Sequence, residues 1–350
     1  MRAAVLREYG EPLDVTEVER PSADPDGAVI DVEACGICRS DWHGWQGHVE
    51  EADLYGQILG HEPVGTVVEV GEEVESVSEG DRVTVPFNLA DGTCPHCRQG
   101  HSQHCENYPL LGFDESVPGA FAEEMHAPSA DVNAIRLPDG VSPVAMAGMG
   151  CRFMTSFHAL AHRADLGAGD WVSVHGCGGI GLSAVNVADA LGGNVIAVDL
   201  NDGNLELAED LGAEVTVNAS DVDDVPGEIQ AITDGGADVS VDALGIAETC
   251  RNSIHSLGLM GQHVQIGLTS EDEGGVVDLP TDLMTGMEID FLGSKGMPPT
   301  RYDEIFRMVE AGSVTPEDIV SKTVGLDDLN DRLAAMTDYD TRGMEVITEF

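Results

Sequence analysis

Apolar residues follow two different rhythms along this chain. Up to about residue 150 they form short runs broken by Gly, Pro and charge: Ala28-Val29-Ile30-Asp31-Val32, Gly65-Thr66-Val67-Val68-Glu69-Val70-Gly71, Val83-Thr84-Val85-Pro86. Runs of that length between turn residues predict strands, so this part reads as an irregular all-β domain. After Cys151 the pattern alternates. Asp170–His175 predicts a buried strand, Leu182–Leu191 a helix and Asn194–Asp199 the next strand. Glu214–Val217, Ala237–Asp242 and Gly261–Gly267 predict further strands. Strand–helix alternation implies a parallel sheet covered on both faces. Tyr302–Val309 has the spacing of an amphipathic helix, and Met344–Thr348 can return as a strand to the first domain. The expected division is 1–152, 153–294, and a C-terminal return over 295–350.

Charge changes the picture next. The 350 residues carry 64 acidic and 16 basic side chains, a formal net charge of −48, and only Lys295 and Lys322 are lysines. That excess goes beyond what solubility needs. Carboxylates spread along a whole chain repel over ~30 Å at 0.01 M salt and only ~3 Å at 1 M, so the composition implies a halophilic protein folded in molar salt. With no basic stripe to neutralise phosphates, nucleic acid is not an expected partner. No apolar run approaches the ~20 residues of a membrane span, and the start of the chain lacks a signal-peptide pattern, so a cytoplasmic location is expected. The acidic stretch Ser270-Glu271-Asp272-Glu273-Gly274-Gly275 reads as solvated surface.

The chemistry sits in separated segments. Cys38, His61-Glu62 and Cys151 supply thiolate, imidazole and carboxylate groups, the donors a Zn²⁺ ion prefers. Three protein ligands leave a fourth position open, which is a catalytic layout. Gly176-Cys177-Gly178-Gly179-Ile180-Gly181 lies between a predicted strand and a predicted helix, the context that makes a glycine-rich turn a dinucleotide site. Asp199 ends the next strand about twenty residues on, where a carboxylate accepts from the adenosine ribose and repels a 2′-phosphate. No Arg or Lys occurs in Leu200–Asn204, so NAD(H) is favoured over NADP(H).

Four motifs in order carry a resemblance over essentially the whole length: Cys38-Arg39-Ser40-Asp41-Trp42-His43; Gly60-His61-Glu62; Cys151 with Thr155, Phe157, Ala159 and Leu160; and the glycine turn. The chain resembles the zinc-dependent medium-chain alcohol dehydrogenases. The resemblance implies a GroES-like catalytic domain joined to a Rossmann domain, and reversible hydride transfer between a primary or secondary alcohol and NAD(H). Zn²⁺ acidifies a bound hydroxyl, and the proton then leaves by a relay. Ser40 is placed to bond the alcohol oxygen and His43 to pass the proton towards solvent, a role that suits histidine because the free side chain titrates at about pH 6.5. Asp41 is expected to orient a ligand. Glu62 in such enzymes either ligates the metal or stands just behind it, and it is counted here with the metal residues. Thr155, Ile266, Leu268 and Lys295 are expected around the nicotinamide.

A second cluster departs from the family pattern. The structural zinc of such enzymes takes four cysteines spaced C-x2-C-x2-C-x7-C; here the first place is Asp91, followed by Cys94, Cys97 and Cys105. A carboxylate can ligate Zn²⁺, so an Asp-Cys₃ site is expected, with a histidine as the fourth ligand or a metal-free lobe as alternatives. Trp45, Phe87 and Phe113 are candidates for an apolar substrate wall. Polyol or sugar dehydrogenation remains the alternative within the same superfamily. A homotetramer is expected, and a dimer after it.

Overall fold

The computed structural model describes residues 1–49, 53–269, 274–338 and 341–350; the expected acidic surface at 270–273 lies outside them. The chain divides into two compact units. One comprises Met1–Cys151, Gly296–Glu310 and Val320–Phe350, and the other Arg152–Lys295 with Ala311–Ile319.

The first unit is built on a mostly antiparallel sheet. Its strands run in the order Val320–Gly325, Met344–Glu349, Ala28–Ile37, Pro63–Val70, Arg82–Thr84 and Ile135–Arg136, and Glu124–Ala127 also pairs with Ala28–Ile37. Arg2–Val5 and Asp14–Glu17 form a separate hairpin. Ala28–Ile37 is central because nearly all its side chains are apolar and buried, as a strand covered on both faces requires. Its core partners include Leu59, Leu111 and Phe121. The C-terminal strand pairs antiparallel with its end, Glu345 opposite Ile37 and Ile347 opposite Cys35. Helices in this unit are short, as the broken apolar runs predicted; Arg39–Gln46 spans only eight residues.

The second unit is a six-stranded parallel sheet. Its order is Ala213–Asn218, Asn194–Asp199, Trp171–His175, Ala237–Asp242, Leu257–Gln265, Asp290–Gly293. In chain order that is 3-2-1-4-5-6, the doubly wound arrangement, with its crevice where the order reverses beyond Trp171–His175 and Ala237–Asp242. The helix Gly179–Ala190 is apolar nearly all round and buried. Asp290–Gly293 was not foreseen: Asp-Phe-Leu-Gly holds only two large apolar side chains and shows no alternation that marks a strand.

His175 closes the first strand of this sheet, 1% exposed and with Nε2 lacking any hydrogen-bond partner. Burial, then the nearby His263, pushes its pKa down to about 3 from 6.5. The folded state therefore refuses a proton that the unfolded chain accepts below pH 6.5. Stability from this group is complete above 6.5 and is lost as pH falls towards 3. Denaturant titrations at constant molar salt should show about 3 kcal/mol lost between pH 6.5 and about 4.5, and His175→Leu should flatten that limb. An equally steep limb in the variant would rule out His175 as its source.

Candidate active site

Cys38 stands where the strand Ala28–Ile37 hands over to the helix Arg39–Gln46. His61 lies in the turn before the strand Pro63–Val70. That turn needs Gly60, whose φ is +95° and where a Cβ would lie 2.6 Å from the Phe121 ring. Cys151 opens the helix Cys151–His158. Donor atoms of Cys38, His61 and Cys151 all lie within 4.8 Å of one another. His61 is 1% exposed, and its Nε2 has no partner although fully buried. A buried nitrogen left unpaired costs free energy, and here it belongs to a set with two thiols. This is the donor set of a soft divalent ion with an open fourth position, so the residues fit zinc.

Asp41 explains the orientation of that imidazole. It is fully buried, and its Oδ1 lies 2.8 Å from His61 Nδ1 and accepts from Gly60 N–H at 3.1 Å. Its Oδ2 accepts from Cys38 N–H at 2.9 Å. One carboxylate thus ties both ligand-bearing segments together and keeps the proton on Nδ1, freeing Nε2 for a metal. Burial opposes the His61 cation, yet Asp41 and Cys38 together hold its pKa well above the usual value. Cation binding at that spot is favoured by the same charges.

Glu62, counted above with the metal residues, is not part of this donor set. Its side chain fills a slot bounded by Gly36 and Gly150, where any Cβ would collide with it. The two glycines therefore leave the room that this side chain occupies. Tyr302, which the sequence reading missed, is also buried there. Burial, and then the charges of Cys151 and Glu62, raise its phenol pKa. No local motif around Tyr302 announces that position.

Ser40 Oγ is 3.8 Å from Cys38 Sγ. His43 Nδ1 is 3.2 Å from Nδ1 of His48. The rings of Phe87 and Phe113 stand edge-on to His61, with centroids at 5.9 and 5.5 Å. Trp45 is instead a core residue whose indole N–H donates to the Glu11 carbonyl at 2.6 Å.

In the second cluster, Asp91, Cys94, Cys97 and Cys105 are brought within the same 4.8 Å limit. Burial opposes the Asp91 charge. Hydrogen bonds from Thr93, from Asn107 (2.6 Å) and from the Cys94 N–H (3.1 Å) outweigh it and hold the carboxyl well below its usual range. Cys94 and Cys97 have their sulfurs 3.4 Å apart, and burial with the neighbouring thiols pushes Cys97 up to about 12. Four groups of the types that ligate a metal ion converge here, which fits a bound ion. None of the eight cysteines is in a disulfide.

The second unit holds the glycine turn. Gly176 has φ +91°, and a Cβ on Gly181 would overlap the Gly176 carbonyl. Gly178 faces open space, so a dinucleotide backbone can approach the N-terminus of the helix Gly179–Ala190. Ile180 lends its carbonyl to the Ser156 hydroxyl at 2.9 Å. Asp199 reaches back to the turn, its Oδ2 accepting from Cys177 N–H at 2.7 Å and its Oδ1 from Asn201 N–H at 2.8 Å. Ile266 is buried and Leu268 is 84% exposed, Thr155 is buried one turn beyond Cys151, and Lys295 is exposed. Arg152, also missed from sequence, is 5% exposed with its side chain against Gly179. The residues present form a cradle that fits a dinucleotide.

Both units have counterparts among known proteins. Residues 24–139 match the alcohol dehydrogenase GroES-like domain and residues 179–311 the zinc-binding dehydrogenase domain. An alcohol dehydrogenase of Geobacillus stearothermophilus is 36% identical over 275 residues, 78% of each chain. The NAD-dependent alcohol dehydrogenase of Sulfurisphaera tokodaii is 32% identical over 357 aligned positions, 99% of each chain. Among solved structures, an alcohol dehydrogenase from Thermus sp. ATN1 superposes with a TM-score of 0.92 at 29% identity, covering 100% of both chains. No helix among the described residues is long and apolar enough to cross a membrane. With these relatives, the motif order and the two-unit architecture, the chain belongs to the zinc-type medium-chain alcohol dehydrogenases and is an oxidoreductase acting on small-molecule alcohols.

Proposed function

We propose that the enzyme is zinc-dependent and uses NAD(H), interconverting primary or secondary alcohols with aldehydes or ketones. The observation that carries this reading is the orphaned, buried Nε2 of His61 among the thiols of Cys38 and Cys151. Those three atoms would hold the ion. Zinc bound there supplies a Lewis acid that polarises the alcohol oxygen. The nicotinamide supplies the hydride acceptor. Asp41 keeps the His61 imidazole oriented. The Ser40 hydroxyl receives the alcohol proton as it passes its own on, and His43 carries that proton towards solvent. Phe87 and Phe113 make an apolar wall, which favours simple alcohols over polyols. Metal content per chain, with NAD⁺ and NADP⁺ reduction over an alcohol panel in molar salt with and without chelator, tests the reading. Sugar-only activity would move the enzyme to the polyol branch, and metal-free activity would end the zinc mechanism.

The relay has its own test. His43→Ala should lower kcat near neutral pH by roughly a hundredfold, with recovery at high pH or in imidazole buffer. An unchanged pH profile would remove His43 from the relay. NAD(H) preference rests on Asp199, whose charge repels a 2′-phosphate, and on the relative named NAD-dependent. Asp199→Gly should shift kcat/KM towards NADP(H) by about tenfold or more, and most at the lowest salt that keeps the fold. No change in preference would show that Asp199 does not select the cofactor.

Further parts of the reading are a second zinc at Asp91, Cys94, Cys97 and Cys105, and a cytoplasmic enzyme, in keeping with eight cysteines that form no disulfide. The assembly is a homotetramer ahead of a dimer. Its support is the edge strand Asp290–Gly293, with Phe291 exposed, together with exposed Leu259 and Met260.

A further inference from the structure

The nucleotide-binding unit contains an unbroken chain of six polar side chains. Ser173, Ser240, Ser253, His263 and Asp242 are all fully buried. Ser173 Oγ is 2.8 Å from Ser240 Oγ, which is 2.6 Å from Ser253 Oγ, which is 2.9 Å from His263 Nδ1. His263 Nε2 is 3.0 Å from Gln265 Oε1. Gln265 Nε2 donates to Asp242 Oδ2 and to the Gly267 carbonyl, both at 2.8 Å.

With a neutral imidazole, the direction of every bond follows from the last two. A carboxylate and a carbonyl accept only, so the Gln265 atom between them is the amide nitrogen. Its oxygen therefore faces His263 Nε2, which must carry the proton. Nδ1 is then bare and accepts from Ser253, Ser253 from Ser240, and Ser240 from Ser173. Burial also disfavours the His263 cation, lowering its pKa against the opposing pull of Gln265 and Asp242.

The chain ends on the cofactor crevice. Asp242 Oδ1 accepts from Leu244 N–H (3.1 Å), Gly245 N–H (3.0 Å) and the Thr249 hydroxyl (2.9 Å). Its carbonyl takes the N–H groups of Ile266 and Gly267. Leu244 packs on Gly176, with only 3.1 Å between its Cβ and a Cβ built there, and Gly245 lies too close to Leu268 for any side chain. In the sheet, Asp199 lies on one side of the strand Trp171–His175, and Asp242 and Gln265 lie on the other. A dinucleotide with its adenosine at Asp199 and its pyrophosphate on the glycine turn must send its other half to the Asp242 side.

We propose that this one-way hydrogen-bond chain positions segments 243–245 and 266–268 as the wall for the nicotinamide half of the cofactor, with Gln265 and neutral, Nε2-protonated His263 as positioning residues. The inference rests on dinucleotide binding at this crevice. Direct titrations of the full-length enzyme in molar salt with NADH and with AMP separate the two halves. Gln265→Leu should weaken NADH binding about tenfold or more, through the buried acceptors it leaves unpaired, and leave AMP within about twofold. Ser253→Ala should weaken NADH in the same selective way, and Ser253→Thr, which keeps the hydroxyl, should restore it. The ¹⁵N spectrum of wild-type His263, assigned with a His263 variant, should show the neutral Nε2–H tautomer. That measurement stands even if Gln265→Leu fails to fold. Equal losses for NADH and AMP, no loss for either, or an Nδ1–H tautomer would overturn the proposal. A wild-type enzyme that binds neither nucleotide would sink the dinucleotide site itself.

Discussion

Cys38→Ser should carry one zinc fewer per chain than the wild type and should oxidise alcohols at least about a thousandfold more slowly, since a Lewis acid contributes several kcal/mol to such a transition state. The argument is geometric. Cys38, His61 and Cys151 come from a strand end, a glycine turn and a helix start, yet their donor atoms meet within 4.8 Å. Serine keeps the volume and loses the thiolate. A graded companion is Asp41→Asn, which retains a side chain facing His61 Nδ1 but can present an amide nitrogen there. Supporting groups of this kind typically cost 10–100-fold in metal affinity or activity (roughly) when altered. Unchanged circular dichroism would separate loss of metal from loss of fold. A Cys38→Ser enzyme with full zinc and full rate would refute the metal site.

Dialysis from molar salt into about 0.01 M buffer should unfold the protein and abolish activity, because the screening length grows from ~3 to ~30 Å. The formal charge is −48, and crowding is visible locally. Burial, and then Glu124, Glu33 and Glu123, raise the pKa of Asp31. Arg20 answers Glu124 and Arg82 answers Glu33, but 16 basic residues are far too few to answer 64 acidic ones. Zinc kept in the dialysis buffer excludes metal loss as the cause. Replacing surface Asp and Glu by Asn and Gln should lower the salt concentration at which the fold is lost. Native circular dichroism and undiminished activity in dilute buffer would refute the halophilic reading.

Both units were legible in the sequence for the same reason. Strands long enough to show a pattern, such as Ala28–Ile37 and Asn194–Asp199, announce themselves by local apolar runs. The C-terminal return at Met344–Glu349 was visible as a run but not as a pairing. Asp290–Gly293 and Val320–Gly325 carried too few patterned positions to be seen. The metal and cofactor motifs were equally local, since each thiol, imidazole or glycine brings its own short surroundings.

Residue type and spacing alone thus determined which groups were available: Cys38, His61 and Cys151, the unusual Asp91 before three cysteines, the glycine turn with Asp199, and the acidic excess. Tertiary structure decided which of them meet. It seated Glu62 in the slot between Gly36 and Gly150, aligned His61 through Asp41, drew Asp91 in with the three thiols, and buried Tyr302 near Cys151 and Glu62. It also set the direction of the chain from Ser173 to Asp242. The physical reason is that ligation, burial and hydrogen-bond direction depend on atoms brought together from distant segments, whereas propensity and motif spacing are properties of neighbours along the chain.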